Sequence, residues 1–309
     1  MKLHPTFSKR TQSFLTIVLT LIVSVLTVNA QTSAVDLSFN TIPSKGKASL
    51  NNFELQPDGK ILTFAFGGTQ IFNGVPKNQI ARLNPNGDLD NSFDCAACDF
   101  NINSVVVQPD GKIIVAGSLP APTGNSFARI RRLNSDGSID GSLTSPFTDG
   151  NPNSEISAAA VVAIQPDGKI LVSFAYGSSL FSQSSVYRLN PNGTLDGSFT
   201  TINLSGGRLS SQYITQVRLT SNGKIFVSGG NSGFSSFGFL YRYNSNGTRD
   251  TTFESPTLAS DGGTSASSVI YDFDIQTDGG IVIGGRFDSV NSVSRVNIAR
   301  LMPAGNVDK

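Results

Sequence analysis

The chain has 309 residues, of which 38% are hydrophobic and 15% are charged. This composition is too apolar for an intrinsically disordered chain and is typical of a globular protein. The formal net charge is only +1 at neutral pH. Charge therefore provides no reason to expect nucleic acid or an anionic membrane surface as a partner.

The first thirty residues are predicted to be a secretory signal peptide. A basic start is followed by the apolar run 14–28 and by a small-residue cleavage site at Val28-Asn29-Ala30. The alternative is a membrane anchor, but this apolar run is short for a bilayer span. We therefore expect a protein that is secreted, periplasmic or attached to the cell surface, with no membrane span after cleavage.

Cleavage at this position would remove the only histidine, His4, and would leave 20 basic and 22 acidic residues. A chain without histidine has no Ser-His-Asp triad, no Cys-His dyad and no His-ligated metal site. We accordingly expect no cofactor and no metal site.

An internal repeat organises the rest of the chain. The turn sequence Gln-Pro-Asp-Gly-Lys begins at Gln56, Gln108 and Gln165, and altered copies begin at Thr220 and Gln276. Proline presets φ for the first turn position, aspartate or asparagine suits the second, and glycine takes the left-handed third. Each copy therefore predicts a hairpin with a three-residue loop.

A second motif, R-L-N-P-N-G-x-L-D-x-S-F, follows each of these turns. In all five copies an arginine precedes an aspartate by eight residues, and the hairpin loop between them predicts that the two face each other across two strands. Because the pair recurs in every unit, we interpret it as structural rather than as a row of binding groups. The pairs are Arg82/Asp90, Arg132/Asp140, Arg188/Asp196, Arg242/Asp250 and Arg300/Asp308.

Each unit is predicted to contain four antiparallel strands, which in the second unit are 103–108, 112–118, 128–134 and 138–143. The link between the second and third strands varies in length and spans 67–78 in the first unit. Four antiparallel strands repeated about every 55 residues are the signature of a β-propeller blade. The chain is therefore predicted to be an all-β propeller, with five blades in one domain, 31–309.

The two ends of the chain suggest how the ring closes. Residues 35–39 match the fourth-strand pattern without a third strand before them, and the last unit stops shortly after its third strand, 297–302. Pairing between these segments would close five blades and remove exposed edges. The alternative is that the chain belongs to a larger ring, so we expect a monomer or part of a longer chain.

The two motifs resemble the delta-60 repeat family, exported bacterial β-propeller repeats that are sometimes called methanol-dehydrogenase type. The resemblance covers residues 35–308 and implies an exported or surface-associated propeller with no established reaction. The methanol-dehydrogenase label does not carry over as chemistry, because the blade motifs of those quinoprotein enzymes are rich in tryptophan and this chain has none.

The first strands of propeller blades line a central channel, and here they carry a candidate site. If five blades close the ring, Glu54, Asp272 and Asp274 come together on one side of the channel, with Arg218 nearby. Such a cluster suits a cation or a sugar, or the acid and nucleophile of a glycosidase. The alternative is a solvated channel in which Arg218 neutralises a carboxylate.

The only two cysteines, Cys95 and Cys98, are separated by two alanines in the loop after the first unit. Export favours oxidation, so we predict a local disulfide. The alternative, a thioredoxin-like redox role, would require a βαβ setting.

The loops between second and third strands are rich in glycine, serine and asparagine. Aromatic residues are interspersed among them, which suits recognition of a sugar or a protein. The alternative is that these loops are solvated links. The aromatic residues are Phe72, Phe127, Tyr176, Phe181, Phe234 and Phe237.

The sequence therefore predicts a non-catalytic, exported binding module or surface scaffold whose partner is an extracellular glycan or protein. One alternative is a secreted carbohydrate-active enzyme with its site in the central channel. A second alternative is an inert spacer, which would neither bind nor hydrolyse a ligand.

Overall fold

The computed structural model describes residues 50–72, 75–120, 126–146, 156–176, 183–204, 210–233, 237–260 and 268–308. Within these ranges the regular elements are all β-strands. The described residues belong to one compact unit, Asn40–Lys309. The predicted signal peptide and the predicted closing segment, 35–39, lie outside the described residues.

The strands follow one another in five units. The first unit contains β1 (Leu50–Leu55), β2 (Ile61–Phe72) and β3 (Val75–Leu83). The second contains β4 (Asn101–Val107), β5 (Ile113–Pro120) and β6 (Ser126–Leu133). The third contains β7 (Ile156–Ile164), β8 (Ile170–Tyr176), β9 (Gln183–Leu189) and β10 (Ile202–Leu204).

The last two units are built in the same way, with additional short strands. The fourth unit contains β11 (Ser210–Leu219), β12 (Ile225–Gly233) and β13 (Gly238–Tyr243), followed by β14 (Leu258–Ala259). The fifth contains β15 (Val269–Ile275), β16 (Ile281–Arg286), β17 (Ser289–Val290), β18 (Val293–Ser294) and β19 (Ile298–Leu301).

Each unit is an antiparallel sheet with its second long strand in the middle. In the third unit β10 pairs with β9 and completes a four-stranded sheet. In the part of the chain that the structure describes, one pair, Gly230 with Val269, joins β12 to β15 and so connects the sheets of the fourth and fifth units. The link predicted at 67–78 is wrong, because β2 continues to Phe72 and β3 begins at Val75.

The fourth element of each unit is shorter than the sequence predicts. Among the described residues the predicted segment pairs with the third strand through one bridge, for example Leu133 with Ile139, and in the third unit β10 adds three further pairs. The aspartate that follows turns the chain away from the sheet, because the Asp140 carboxylate accepts the backbone N–H of Ser142 at 2.9 Å. The same bridge links Leu83 to Leu89, Leu189 to Leu195, Tyr243 to Arg249 and Leu301 to Val307.

Both predicted turns are confirmed. In the first turn of the second unit, Gly111 has φ +81 and donates its N–H to the Gln108 carbonyl at 2.9 Å. In the second turn, Gly137 has φ +90 and donates to the Asn134 carbonyl, also at 2.9 Å. Glycine is required because other residues seldom adopt this left-handed conformation.

Apolar cores lie between consecutive units. In β5, Ile113 and Val115 pack in a core with the first unit, whereas Ile114 and Ala116 pack in a core with the third. Similar cores join the third unit to the fourth and the fourth to the fifth. The middle strands are apolar on both faces because both faces are covered by neighbouring sheets.

The apolar positions of the first strands face these cores in four of the five units. Val105, Val162, Val217 and Phe273 are each at most 7% exposed, but the equivalent Phe53 is 68% exposed. No core cluster of the described residues joins the fifth unit to the first. None of the described residues forms a helix long and apolar enough to cross a membrane.

Candidate functional site

Residues from the first strands of all five units line one cavity of about 340 Å³, which we call the central cavity. Glu54, Arg218 and Asp272 contribute its charged groups, and Asn52, Ser104 and Gln216 contribute neutral polar groups. Because every unit contributes to this lining, the five units are arranged around a common centre.

Arg218 is the cation of the central cavity. Its Nη2 lies 3.0 Å from Oδ1 of Asp272, and its guanidinium carbon lies 5.8 Å from the centre of the Phe273 ring. Its Nε is buried and has no hydrogen-bond partner among the described residues. Both side chains of the ion pair remain partly open to solvent. The pair therefore contributes little to stability, and it can exchange partners with a ligand.

Glu54 and Asp274 differ in position. Burial raises the pKa of the Glu54 carboxyl, although the nearby Arg218 guanidinium opposes the shift. Asp274 is exposed, is not among the residues that line the central cavity, and accepts the backbone N–H of Ile275 at 2.9 Å. The structure thus brings together three of the four predicted channel residues, Glu54, Arg218 and Asp272.

A β-bulge in each first strand positions these side chains, and the sequence patterns did not reveal it. Each of these strands shifts register just before the residues that line the central cavity, as at Ile214/Gln216 in β11. Equivalent shifts occur in β1, β4, β7 and β15. A bulge twists its strand locally and redirects the side chains that follow it.

In the second, fourth and fifth units a glycine of the middle strand makes room for the bulge. An ideal Cβ on Gly229 would lie 1.9 Å from the carbonyl oxygen of Tyr213, which is impossible without a backbone shift. Gly117 and Gly285 have the same close approach to the carbonyls of Asn101 and Val269. In these three units a glycine near the end of the apolar second strand is the sequence signal that would have predicted the bulge.

The repeated Arg–Asp pairs form contacts between units that the sequence did not reveal. Arg188 Nε donates to Asp196 at 2.8 Å, and Nη1 donates to the Ser245 carbonyl of the next unit at 2.6 Å. The guanidinium also lies 4.7 Å from the centre of the Phe199 ring. We call this arrangement, an arginine that binds its own aspartate and the next unit's turn, the arginine clamp.

The arginine clamp recurs at each described junction between units. Arg82 reaches the Ser135 carbonyl, Arg132 the Pro191 carbonyl and Arg242 the Pro303 carbonyl. Arg300 differs, because its contacts among the described residues are with Gln276, Asp278 and Asp308 of its own unit. The predicted pairs are therefore structural contacts, and four of them also hold neighbouring units together.

The lysine of the first turn completes the charge balance of each clamp. Lys112 Nζ lies 2.8 Å from Asp140 Oδ2, and Lys60, Lys169 and Lys224 make the equivalent contact. Hydrogen bonds from Lys112 and Ser142 hold the pKa of the Asp140 carboxyl well below its usual range. The aspartates therefore stay ionised at neutral pH, as a structural ion pair requires.

Cys95 and Cys98 form a disulfide, and both are buried in the core between the first and second units. Of the aromatic loop residues, Phe72 is half-buried at the end of β2 and Phe237 is 40% exposed. The side chains of Phe127, Tyr176, Phe181 and Phe234 lie outside the described residues.

Antiparallel sheets that surround a central cavity, with apolar cores between neighbours, define a β-propeller in which each unit is a blade. A family model described as "Domain of unknown function (DUF5122) beta-propeller" matches residues 56–93, 108–143, 165–199, 220–253 and 276–309. The chain belongs to this DUF5122 β-propeller family. No curated protein matches it.

Solved structures are similar to this chain at low sequence identity. A Dyadobacter fermentans protein of unknown function is 12% identical, with a TM-score of 0.54, and the match covers 85% of this chain and 80% of that one. A thermostable family-43 glycoside hydrolase is 12% identical, with a TM-score of 0.46 and coverage of 87% and 96%. A Xanthomonas campestris gluconolactonase is 11% identical, with a TM-score of 0.43 and coverage of 86% of each chain.

Proposed function

We propose that this protein is an exported, non-catalytic binding module that holds a sugar unit of an extracellular glycan in its central cavity. One observation carries the proposal: the polar residues that line the central cavity differ from blade to blade. Residues that serve the fold, such as the arginine clamp, recur in the blades. Arg218 and Asp272 have no counterpart of the same charge at the equivalent positions of the other blades, and Glu54 has only Asp274, which does not line the cavity.

The size and chemistry of the central cavity suit a sugar. A volume of about 340 Å³ is at the small end of the range of ligand pockets and admits one or two sugar rings. Asn52 and Gln216 offer amide donors and acceptors, and Asp272 offers acceptors. The Nε of Arg218 is a buried donor that has no partner in the described part of the chain. Sugar hydroxyls both donate and accept hydrogen bonds, so they match such a mixed lining.

A glycoside hydrolase is the second candidate function, and the raised pKa of Glu54 favours it. A carboxyl group that stays protonated at higher pH is suited to donate a proton to a leaving oxygen. Asp272 of the fifth blade would supply the second carboxylate that hydrolysis of a glycosidic bond needs.

Substitution of Arg218 tests the binding proposal. We expect calorimetry to show that galactose, glucose, N-acetylglucosamine, galacturonate or one of their disaccharides binds the wild type, and that Arg218→Gln weakens this binding about tenfold. The control is Arg295→Gln, which changes an arginine that contacts Ser294 and Asp308 away from the central cavity. This control is expected to bind like the wild type.

Three outcomes separate the candidate functions. Binding that depends on Arg218 without release of reducing ends from polysaccharides supports the binding module. Release of reducing ends that is lost in Glu54→Gln supports the hydrolase instead. If none of these sugars binds and no reducing ends appear, both functions are wrong and the inert spacer remains.

Export is part of the same proposal and follows from the signal-peptide pattern and the delta-60 resemblance. We expect the protein, produced in a bacterial host, to be recovered outside the cytoplasm with Gln31 as its first residue. Mass spectrometry of the N-terminal peptide measures this directly. Recovery of an uncleaved chain in the membrane fraction would support the anchor instead.

A further inference from the structure

Three residues at one end of the central cavity depart from the repeat in the fourth and fifth blades. Tyr213 stands where the second blade has Asn101, and Tyr271 stands where it has Asn103. Arg286 stands where the second blade has Ser118. A residue that the repeated fold requires would recur in the other blades, so the repeat does not account for these three residues.

Backbone register connects Tyr213 and Arg286 through one row of paired residues. Tyr213 of β11 pairs with Gly230 of β12, Gly230 pairs with Val269 of β15, and Val269 pairs with Arg286 of β16. One row across four strands thus runs from Tyr213 to Arg286.

Tyr271 lies next to this row. It follows Ile270, whose carbonyl accepts the Thr215 hydroxyl at 2.7 Å and so ties β15 to β11. Thr215 and Asp272 line the central cavity, and Tyr213 and Tyr271 come just before them along their strands. The tyrosines therefore lie at the same end of the cavity, and we call Tyr213, Tyr271 and Arg286 the cavity mouth.

The rings of the cavity mouth are accessible to a ligand. Tyr271 is 58% exposed and Tyr213 is 40% exposed. An ideal Cβ on Gly230 would lie 2.8 Å from the Tyr213 hydroxyl oxygen, so glycine lets this ring lie against the backbone of β12. Burial raises the pKa of the Tyr213 phenol, Tyr271 adds to the shift and Arg286 opposes it. The three side chains therefore share one electrostatic environment.

The chemistry of these groups selects a particular kind of sugar. Tyrosine presents a flat apolar face with a polar edge, which suits the C–H face of a sugar ring. A guanidinium binds a carboxylate with two parallel hydrogen bonds. Glu54 and Asp272 deeper in the cavity repel a carboxylate, so an acidic sugar would keep its carboxylate at the mouth.

We infer that the cavity mouth is a subsite for a uronic acid unit of an acidic oligosaccharide, with the sugar ring on the tyrosines and its carboxylate on Arg286. This inference rests on the proposed sugar-binding function and names the ligand class. It adds a binding site that the repeat motifs do not contain.

Calorimetric titration of the purified full-length protein with digalacturonate and with the neutral disaccharide galactobiose tests the inference. We expect digalacturonate to bind at least about tenfold more tightly, a factor equivalent to about 1.4 kcal/mol. Tyr271→Ala and Arg286→Gln are each expected to weaken digalacturonate binding about tenfold. Arg286→Gln is expected to leave galactobiose binding unchanged.

Matched variants separate a binding role from a structural one. Tyr271→Phe keeps the ring and is expected to bind within about threefold of the wild type. Val296→Ala removes another side chain that is 58% exposed and is expected to change nothing. The thermal midpoint of each variant should equal that of the wild type. If Tyr271→Ala lowers the thermal midpoint, the mouth subsite is judged from digalacturonate binding by Arg286→Gln compared with the wild type.

The outcomes also distinguish the inference from the proposed function. If sugars bind in a manner that depends on Arg218 but Tyr271→Ala and Arg286→Gln bind like the wild type, the mouth subsite is wrong and the cavity function stands. Equal binding of digalacturonate and galactobiose would likewise overturn the subsite alone. If no sugar binds, both are overturned.

Discussion

Replacing Arg188 with methionine is expected to lower the free energy of unfolding by about 3 kcal/mol, because it breaks a buried ion pair and a contact between blades. Arg188 and Asp196 are both less than 10% exposed. Without the arginine, the Ser245 carbonyl of the next blade loses its donor. Lys169, whose Nζ lies 3.3 Å from Asp196, keeps part of the charge balance. The expected loss of unfolding free energy is therefore at the lower end of the range for a broken buried ion pair.

Arg300→Met is the matched control, because Arg300 occupies the same place in the repeat. Its contacts among the described residues are within its own blade, and its side chain is 33% exposed. We expect Arg300→Met to lower the free energy of unfolding by about 1 kcal/mol or less, as for a surface ion pair. Urea unfolding followed by circular dichroism measures both variants. Equal losses would show that the contact between blades adds nothing to the clamp.

Replacing Gly247 with alanine is expected to cost about 3 kcal/mol, from backbone strain and from a clash between blades. Gly247 has φ +88, which an alanine adopts only with strain. Its added Cβ would lie 2.0 Å from the Thr200 carbonyl oxygen of the preceding blade. This backbone contact cannot yield as a flexible side chain would, so the junction between the third and fourth blades must open.

Gly111→Ala separates the two contributions. Gly111 has φ +81, and a Cβ built on it meets nothing within 4 Å. We expect this variant to lose only about 1 kcal/mol, from the left-handed backbone conformation. Thermal unfolding of both variants against the wild type makes the comparison. If Gly247→Ala is as stable as Gly111→Ala, there is no tight contact between blades at the Gly247 turn.

Both predictions concern contacts between blades, and these contacts organise the site as well as the fold. The central cavity takes its lining from all five blades, so Glu54 of the first blade and Arg218 of the fourth interact only because the intervening blades are held in place. A variant that opens one junction is therefore expected to weaken ligand binding as well as stability. The Arg300→Met control should bind like the wild type.

Much of the local structure could be predicted because its causes are local. The turn at Gln108 needs a residue with positive φ, and only Gly111 in that stretch meets the need at little cost. The middle strand 113–120 is apolar on both faces, and such a run predicts a strand buried between two layers. The fourth element was overestimated, because the hydrogen bond by which Asp140 turns the chain is a side-chain contact that strand patterns do not include.

The candidate site could be predicted only in part. Their place on the first strands identified Glu54, Arg218 and Asp272, but the sequence did not predict the bulge that each first strand contains. In the second, fourth and fifth blades the bulge packs against a glycine of the neighbouring strand, such as Gly229, and so involves a pair of segments rather than one. Tyr213, Tyr271 and Arg286 were missed because each is unremarkable by itself. They form a group only through the register of β11, β12, β15 and β16.

The sequence by itself determined the repeat, the turns and the strands, since each arises from residues a few positions apart. The tertiary structure decided what lies between blades. Arg188 meets Ser245 across 57 positions of the chain, and Arg218 meets Asp272 across 54. No local pattern specifies such partners, because they follow from how far each blade is rotated and how closely it packs against the next. That packing converts five similar units into one cavity lined by unlike residues.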